Sequence, residues 1–225
     1  PSIGGFPAMR TSALVGRRGA MKSHLAYYCM LRHALGAATE NDRAAKNVLL
    51  ISLRDDLEGA KHTLAQIVEQ QEILDATAKG QDIVQSLIDH DRLEIFYNPP
   101  GCISPGEFFH RVFVALARGR ETSGFALPDG TNLPEPERQT AEIVVLNGLD
   151  HLEAKFPLCA GERVFIPALT ALFRDYKVCS IVISAEESGD AQSGEIGPMA
   201  DLILEFDSLG KRGFPRPSDQ EVRKV

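Results

Sequence analysis

No stretch of this sequence approaches the ~20 consecutive apolar residues of a bilayer-crossing helix, which excludes a helical membrane span. Cysteine is scarce and scattered. Cys29, Cys102, Cys159 and Cys179 form no C-x-x-C pair, which argues against a zinc site or a disulfide framework and for isolated thiols in a reducing cytoplasm. Positive charge is in deficit, with 24 Lys and Arg against 31 Asp and Glu, so nucleic acid finds no general attraction. The opening "PSIGGFPAMR" lacks a basic segment followed by an apolar core, so no secretory signal is expected. His110 and His151 have no partner at a metal-ligand spacing. No internal repeat is present.

What is there is the composition of a globular domain. The 44% hydrophobic and 24% charged residues are ordinary values, and 225 residues suffice for one domain with a full core, residues 1–225. Short apolar runs alternate with longer amphipathic stretches, the pattern of βα units around a parallel sheet. Strands are expected at "TSALVG" (11–16), "KNVLLISL" (46–53), "RLEIFYN" (92–98), "AEIVVLN" (141–147), "VCSIVIS" (178–184) and "ADLILEF" (200–206). Helices are expected from Met21 through "SHLAYYCMLRHAL", over "LEGAKHTLAQIVEQQEIL", over "GEFFHRVFVALARG", whose apolar spacing reads as core, and over "ERVFIPALTALFRDY". Residues 119–140 are rich in Pro, Gly, Thr and charge, and read as a long functional or disordered loop. The expected fold is α/β, three layers with a central, mostly parallel sheet.

The stretch "GRRGAMKS" (16–23) is one residue away from the phosphate-loop pattern G-x-x-x-x-G-K-[ST]. Gly16, Lys22 and Ser23 occupy their places; Met21 stands where a glycine is expected. A phosphate loop works because backbone N–H groups and a helix N-terminus converge on a small volume, with lysine at the outer phosphates and Ser or Thr on Mg²⁺. Strand, loop and helix occur here in that order. The plainer alternative is a βα turn that happens to contain Gly, Lys and Ser. Methionine fits the position before the lysine if its backbone turns helical, and Arg17 and Arg18 either add positive charge or are solvated surface residues. His24 follows in the first helical turn.

With these motifs on the page, the chain resembles the RecA-like P-loop ATPases, and among them the KaiC-like branch. "GGFPAMRTSALVGRRGAMKS" resembles that family's lead-in and Walker A loop, "NVLLISLRDD" its second strand with paired acids, and "EIVVLNGLDHL" its Walker B strand. "VCSIVISAEES" and "ADLILEF" resemble the strands that follow. The resemblance implies an ATP site formed by Gly16, Arg17, Arg18, Gly19, Ala20, Met21, Lys22, Ser23 and His24. It implies Mg²⁺ held by Ser23 and the Walker B position, Asn147. Asp55 would activate water and Lys22 would bind the outer phosphates.

Three departures accompany it. Met21 replaces a loop glycine, Arg54 replaces the first of the paired acids, and the Walker B aspartate is Asn147, a poorer partner for a metal's hydration shell. Asp150 substitutes for that aspartate only through a shifted loop; a surface acid is the plainer reading. Weak or absent hydrolysis follows, with a regulatory or assembly role. The resemblance also implies homo-oligomers, rings included, with a basic pair reaching the neighbour's nucleotide after a strand that "EVRKV" would only begin, or through Lys211 and Arg212. Glu186 and Glu187, in an acidic loop at the sheet's ligand edge, argue against DNA phosphates. The competing expectation is a pseudo-ATPase, a protein–protein interaction module that no longer binds nucleotide and uses 119–140 and 185–195 as contact surfaces.

Overall fold

The structure, a computed structural model, describes residues 2–3, 6–17, 19–36, 47–70, 79–97, 103–117, 141–156, 165–184 and 200–206. Arg18, Cys102, Cys159, Glu186, Glu187, Lys211, Arg212 and the 119–140 stretch lie outside these residues. A two-residue antiparallel ladder, β1 (Ser2–Ile3) with β2 (Phe6–Pro7), precedes the main sheet. Then come β3 (Thr11–Gly16), α1 (Lys22–Gly36), β4 (Val48–Ser52), α2 (Leu57–Gln70), α3 (Gly80–Asp89), β5 (Leu93–Tyr97) and α4 (Pro105–Ala117). The second half holds β6 (Ile143–Asn147), α5 (Leu149–Lys155), α6 (Phe165–Asp175), β7 (Cys179–Ile183) and β8 (Leu202–Phe206).

Six strands form one sheet in the order β5-β4-β6-β7-β3-β8, and every pairing is parallel. The central strands are buried on both faces, which is why they read as unbroken apolar runs. Their side chains divide between two cores by the period of two. Leu14, Leu50, Val145 and Ile181 face one core, where α1, α2 and α3 contribute Met30, Leu64, Ile67 and Val84. Ala13, Val15, Leu49, Ile51, Val144, Leu146 and Val182 face the other, against Phe108, Val112, Leu152, Leu169 and Phe173 of α4, α5 and α6. The fold is a three-layer α/β domain.

The helices change face because the chain changes direction. From β3 it steps through β4 to β5 at one edge of the sheet, then reverses through β6 and β7. Crossovers of one constant hand must then put their helices on opposite faces before and after the reversal. The strands whose outgoing connections diverge, β4 and β6, are neighbours. In open parallel sheets the crevice beyond the carboxyl ends of such strands is where ligands sit.

Two helices were not legible. α3 carries Val84 and Leu87 into the core with Ile83 and Ile88 beside them, a short stripe without a strong start signal. α5 is a seven-residue helix following Gly148 in a left-handed conformation. The expected core role of "FFHRVFVAL" holds for Phe108, Val112 and Leu116, whereas Phe113 is exposed and meets Tyr176 edge-on at 6.1 Å. Among the described residues, no helix is long and apolar enough to cross a membrane.

Candidate functional site

The turn after β3 is built from backbone geometry. Gly16 has φ +133°, and a Cβ there would lie 2.1 Å from the carbonyl oxygen of Phe206 on β8, so no side chain fits. Gly19 has φ +82°, and the Ala20 N–H donates to the Arg17 carbonyl at 3.3 Å, tightening the turn. Met21 corrects the expectation of a helical backbone. Its φ is +60°, a left-handed conformation that costs a non-glycine residue about 1–2 kcal/mol. The side chain escapes into solvent and is 61% exposed. The Met21 carbonyl accepts from the Leu25 N–H at 3.1 Å, which makes Met21 the N-cap of α1. Ser, Asp or Asn at an N-cap would offer an oxygen to the first-turn N–H groups. A thioether offers almost none.

Lys22 begins α1, and only 6% of it is exposed. Its ammonium folds back over the loop and donates to the carbonyls of Gly16 at 2.5 Å and Arg17 at 2.7 Å. Ser23 and His24 are half-buried in the first turn, and Arg17 is exposed at its mouth. The Ser23 hydroxyl donates to Asn147 Oδ1 at 3.3 Å, joining the loop to the end of β6.

Asn147 lies at the β4/β6 divergence and is 2% exposed. Its backbone carbonyl accepts from the Leu53 N–H at 2.9 Å, and its Nδ2 donates to the Tyr27 hydroxyl at 2.8 Å and to Asp55 Oδ2 at 3.3 Å. Asp55 is itself held in a tight turn, its N–H donating to Ser52 Oγ and its carbonyl accepting from that hydroxyl. Burial, with the Asp55 carboxylate adding to it, holds the Tyr27 phenol well above the usual tyrosine range, against opposing effects of the Asn147 hydrogen bond and Arg54. Arg54 stands exposed on the rim. The rim is close-packed: Gly148 has φ +91°, and a Cβ on it would lie 3.1 Å from Arg54 Cβ.

The expected site residues thus converge. Gly16, Arg17, Gly19, Ala20, Met21, Lys22, Ser23 and His24 lie along the turn after β3 and the start of α1. Asn147, at the end of β6, joins it through Ser23, and Asp55, in the turn after β4, joins it through Asn147. Asp150 occupies the first turn of α5, 3.9 Å from His151. Sequence reasoning missed Tyr27. The signal available for it was spacing, since Tyr27 follows Ser23 by four residues and so shares its helix face.

Ser23 and Asn147, the two expected Mg²⁺ holders, are indeed adjacent. Their chemistry fits that ion poorly. A hard cation needs oxygen ligands and anionic charge, whereas Asn147 is neutral and turns its amide nitrogen toward the Asp55 carboxylate and the Tyr27 hydroxyl. Among the described residues, no group of three or more His, Cys, Asp or Glu side chains is placed to hold a metal ion. No protein-family model matches this chain, and no curated protein matches it in sequence.

Proposed function

We propose that this chain is a RecA-like phosphate-loop domain of the KaiC-like kind that binds a nucleotide, ATP foremost, at residues 16–24. The observation that carries the reading is Lys22. A nearly buried ammonium, held over the loop by two of its carbonyls, stands at the start of a helix whose cap supplies no side-chain oxygen. Backbone donors, helix dipole and lysine then favour the same guest, a multiply charged oxyanion.

Position in the sheet supports the same assignment. The loop follows a doubly buried strand, and the Ser23–Asn147–Asp55 chain crosses the carboxyl edge to the point where β4 and β6 diverge. In this reading Lys22 contacts the outer phosphates and Asp55 is the group that would activate water. Turnover is weak or absent, because Arg54 cannot serve as the base that an acid at its place would be. Occupancy then serves regulation or the assembly of like subunits or a protein partner.

Titration calorimetry with ATP, on the wild type and on Lys22→Ala, tests this. Micromolar binding that Lys22→Ala weakens by about tenfold or more supports it, since a charge-assisted contact contributes roughly 1.5–3 kcal/mol. Absence of heat at concentrations that detect a millimolar constant overturns it and leaves the interaction module without a nucleotide.

A further inference from the structure

The feature that the nucleotide reading leaves unabsorbed is the amide of Asn147. Its orientation is fixed by chemistry. The Asp55 carboxylate accepts hydrogen bonds only, so the atom facing it at 3.3 Å must be the donor, Nδ2. That leaves Oδ1 for the Ser23 hydroxyl. The second N–H on Nδ2 goes to the Tyr27 hydroxyl at 2.8 Å. Both polar atoms of the side chain are therefore engaged, and the residue itself is buried.

An aspartate at this position would meet Asp55 as a second carboxylate at the distance of a hydrogen bond. One of the two would have to take up a proton, or a cation would have to lie between them. Asparagine removes that requirement. It supplies a donor to Tyr27 and Asp55 and an acceptor to Ser23, and carries no charge itself. Cations belong to the same site: Lys22 is held over the loop by two carbonyls, and Arg17 on the loop and Arg54 after β4 are exposed.

Resting on the nucleotide reading, we propose that this site takes its nucleotide phosphates without a divalent cation. The Asn147 amide does the positioning work of a bridging metal, and side-chain cations balance the phosphate charge. The ligand class is then the free nucleoside triphosphate, not its magnesium complex. Asn147 is a positioning residue, since it acts through Ser23 and Asp55.

The test is ATP binding to the full chain, by calorimetry, in millimolar Mg²⁺ and in EDTA, with Asn147→Asp and Arg54→Gln alongside. The expected result is a wild-type dissociation constant that changes by less than about threefold between the two conditions, or is tighter in EDTA. Asn147→Asp acquires a requirement for Mg²⁺, binding about tenfold or more weakly in EDTA. Arg54→Gln weakens binding in EDTA more than in Mg²⁺. Wild-type binding that collapses in EDTA and is lost in Lys22→Ala overturns the metal-free site while leaving the phosphate loop standing. No binding of ATP in either condition overturns both. Because the deciding comparison uses the wild type, a poorly folding variant does not blunt it.

Discussion

The two halves of the candidate site have kept different things. The loop half, residues 16–22, is held by backbone: two glycines and a methionine at positive φ, a turn hydrogen bond, and a lysine clasped by carbonyls. The crevice half, around Asn147, is held by side chains whose identities set the hydrogen-bond pattern. A foreign residue is tolerated in the first half as long as it reaches the required φ and points outward, as Met21 does. In the second half one atom, N for O, changes charge and donor count together. Shape survives substitution more readily than charge does.

That comparison breaks first, if it breaks, at Gly16. Gly16→Ala places a methyl against the Phe206 carbonyl at a φ that alanine rarely adopts. Such backbone conflicts cost on the order of 3 kcal/mol or more, and a large fall in melting temperature is expected. Wild-type stability in this variant would mean that the strand pair, and not the glycine, defines the turn. Asn147→Ala comes next. It strands the buried Tyr27 hydroxyl and two further partners, at a cost of roughly 2–3 kcal/mol in denaturant unfolding.

Tyr27→Phe is expected to cost less, about 1 kcal/mol near neutrality, because one acceptor is lost. Its signature is pH. Burial, then Asp55, raises the folded phenol's ionisation above that of an unfolded tyrosine near 10. The unfolded chain therefore releases this proton first. Wild-type stability from this group is complete below that range and is lost as pH climbs through it. The phenylalanine variant lacks the loss, so the gap between the two narrows above pH 10. A gap that stays constant in urea melts from pH 8 to 11 would show that Tyr27 is not isolated from water.

The smallest effect belongs to Met21→Gly. It relieves the left-handed strain but adds backbone freedom to the unfolded state, so the net gain is about 0.5–1 kcal/mol. A destabilised Met21→Gly protein would show that the exposed methionine does more than tolerate its place.

The sheet was legible because parallel strands buried on both sides leave unbroken apolar runs; all six anticipated segments coincide with β3 to β8 to within two residues at each end. α3 was not legible, because ten residues carrying two fully buried apolar side chains offer little periodicity. The loop residues and Asn147 could be placed together from their order along the chain. Tyr27 could not be assigned, because an interior tyrosine on an apolar helix face reads as packing until its hydroxyl is seen to have an amide beneath it. Met21 misled for a local reason: its type favours helix interiors, but the next residue starts the helix and the turn dictates its φ.

One contact at the margin of the sheet bears on the loop. The space a Cβ on Gly16 would need is already filled by the carbonyl of Phe206, the residue it pairs with on β8. β8 is the outermost described strand on that side. It therefore forms one wall of the turn's first residue, backbone against backbone, with no side chain between them. A change of residue at the first position of the loop is thus first of all a change at the edge of the sheet.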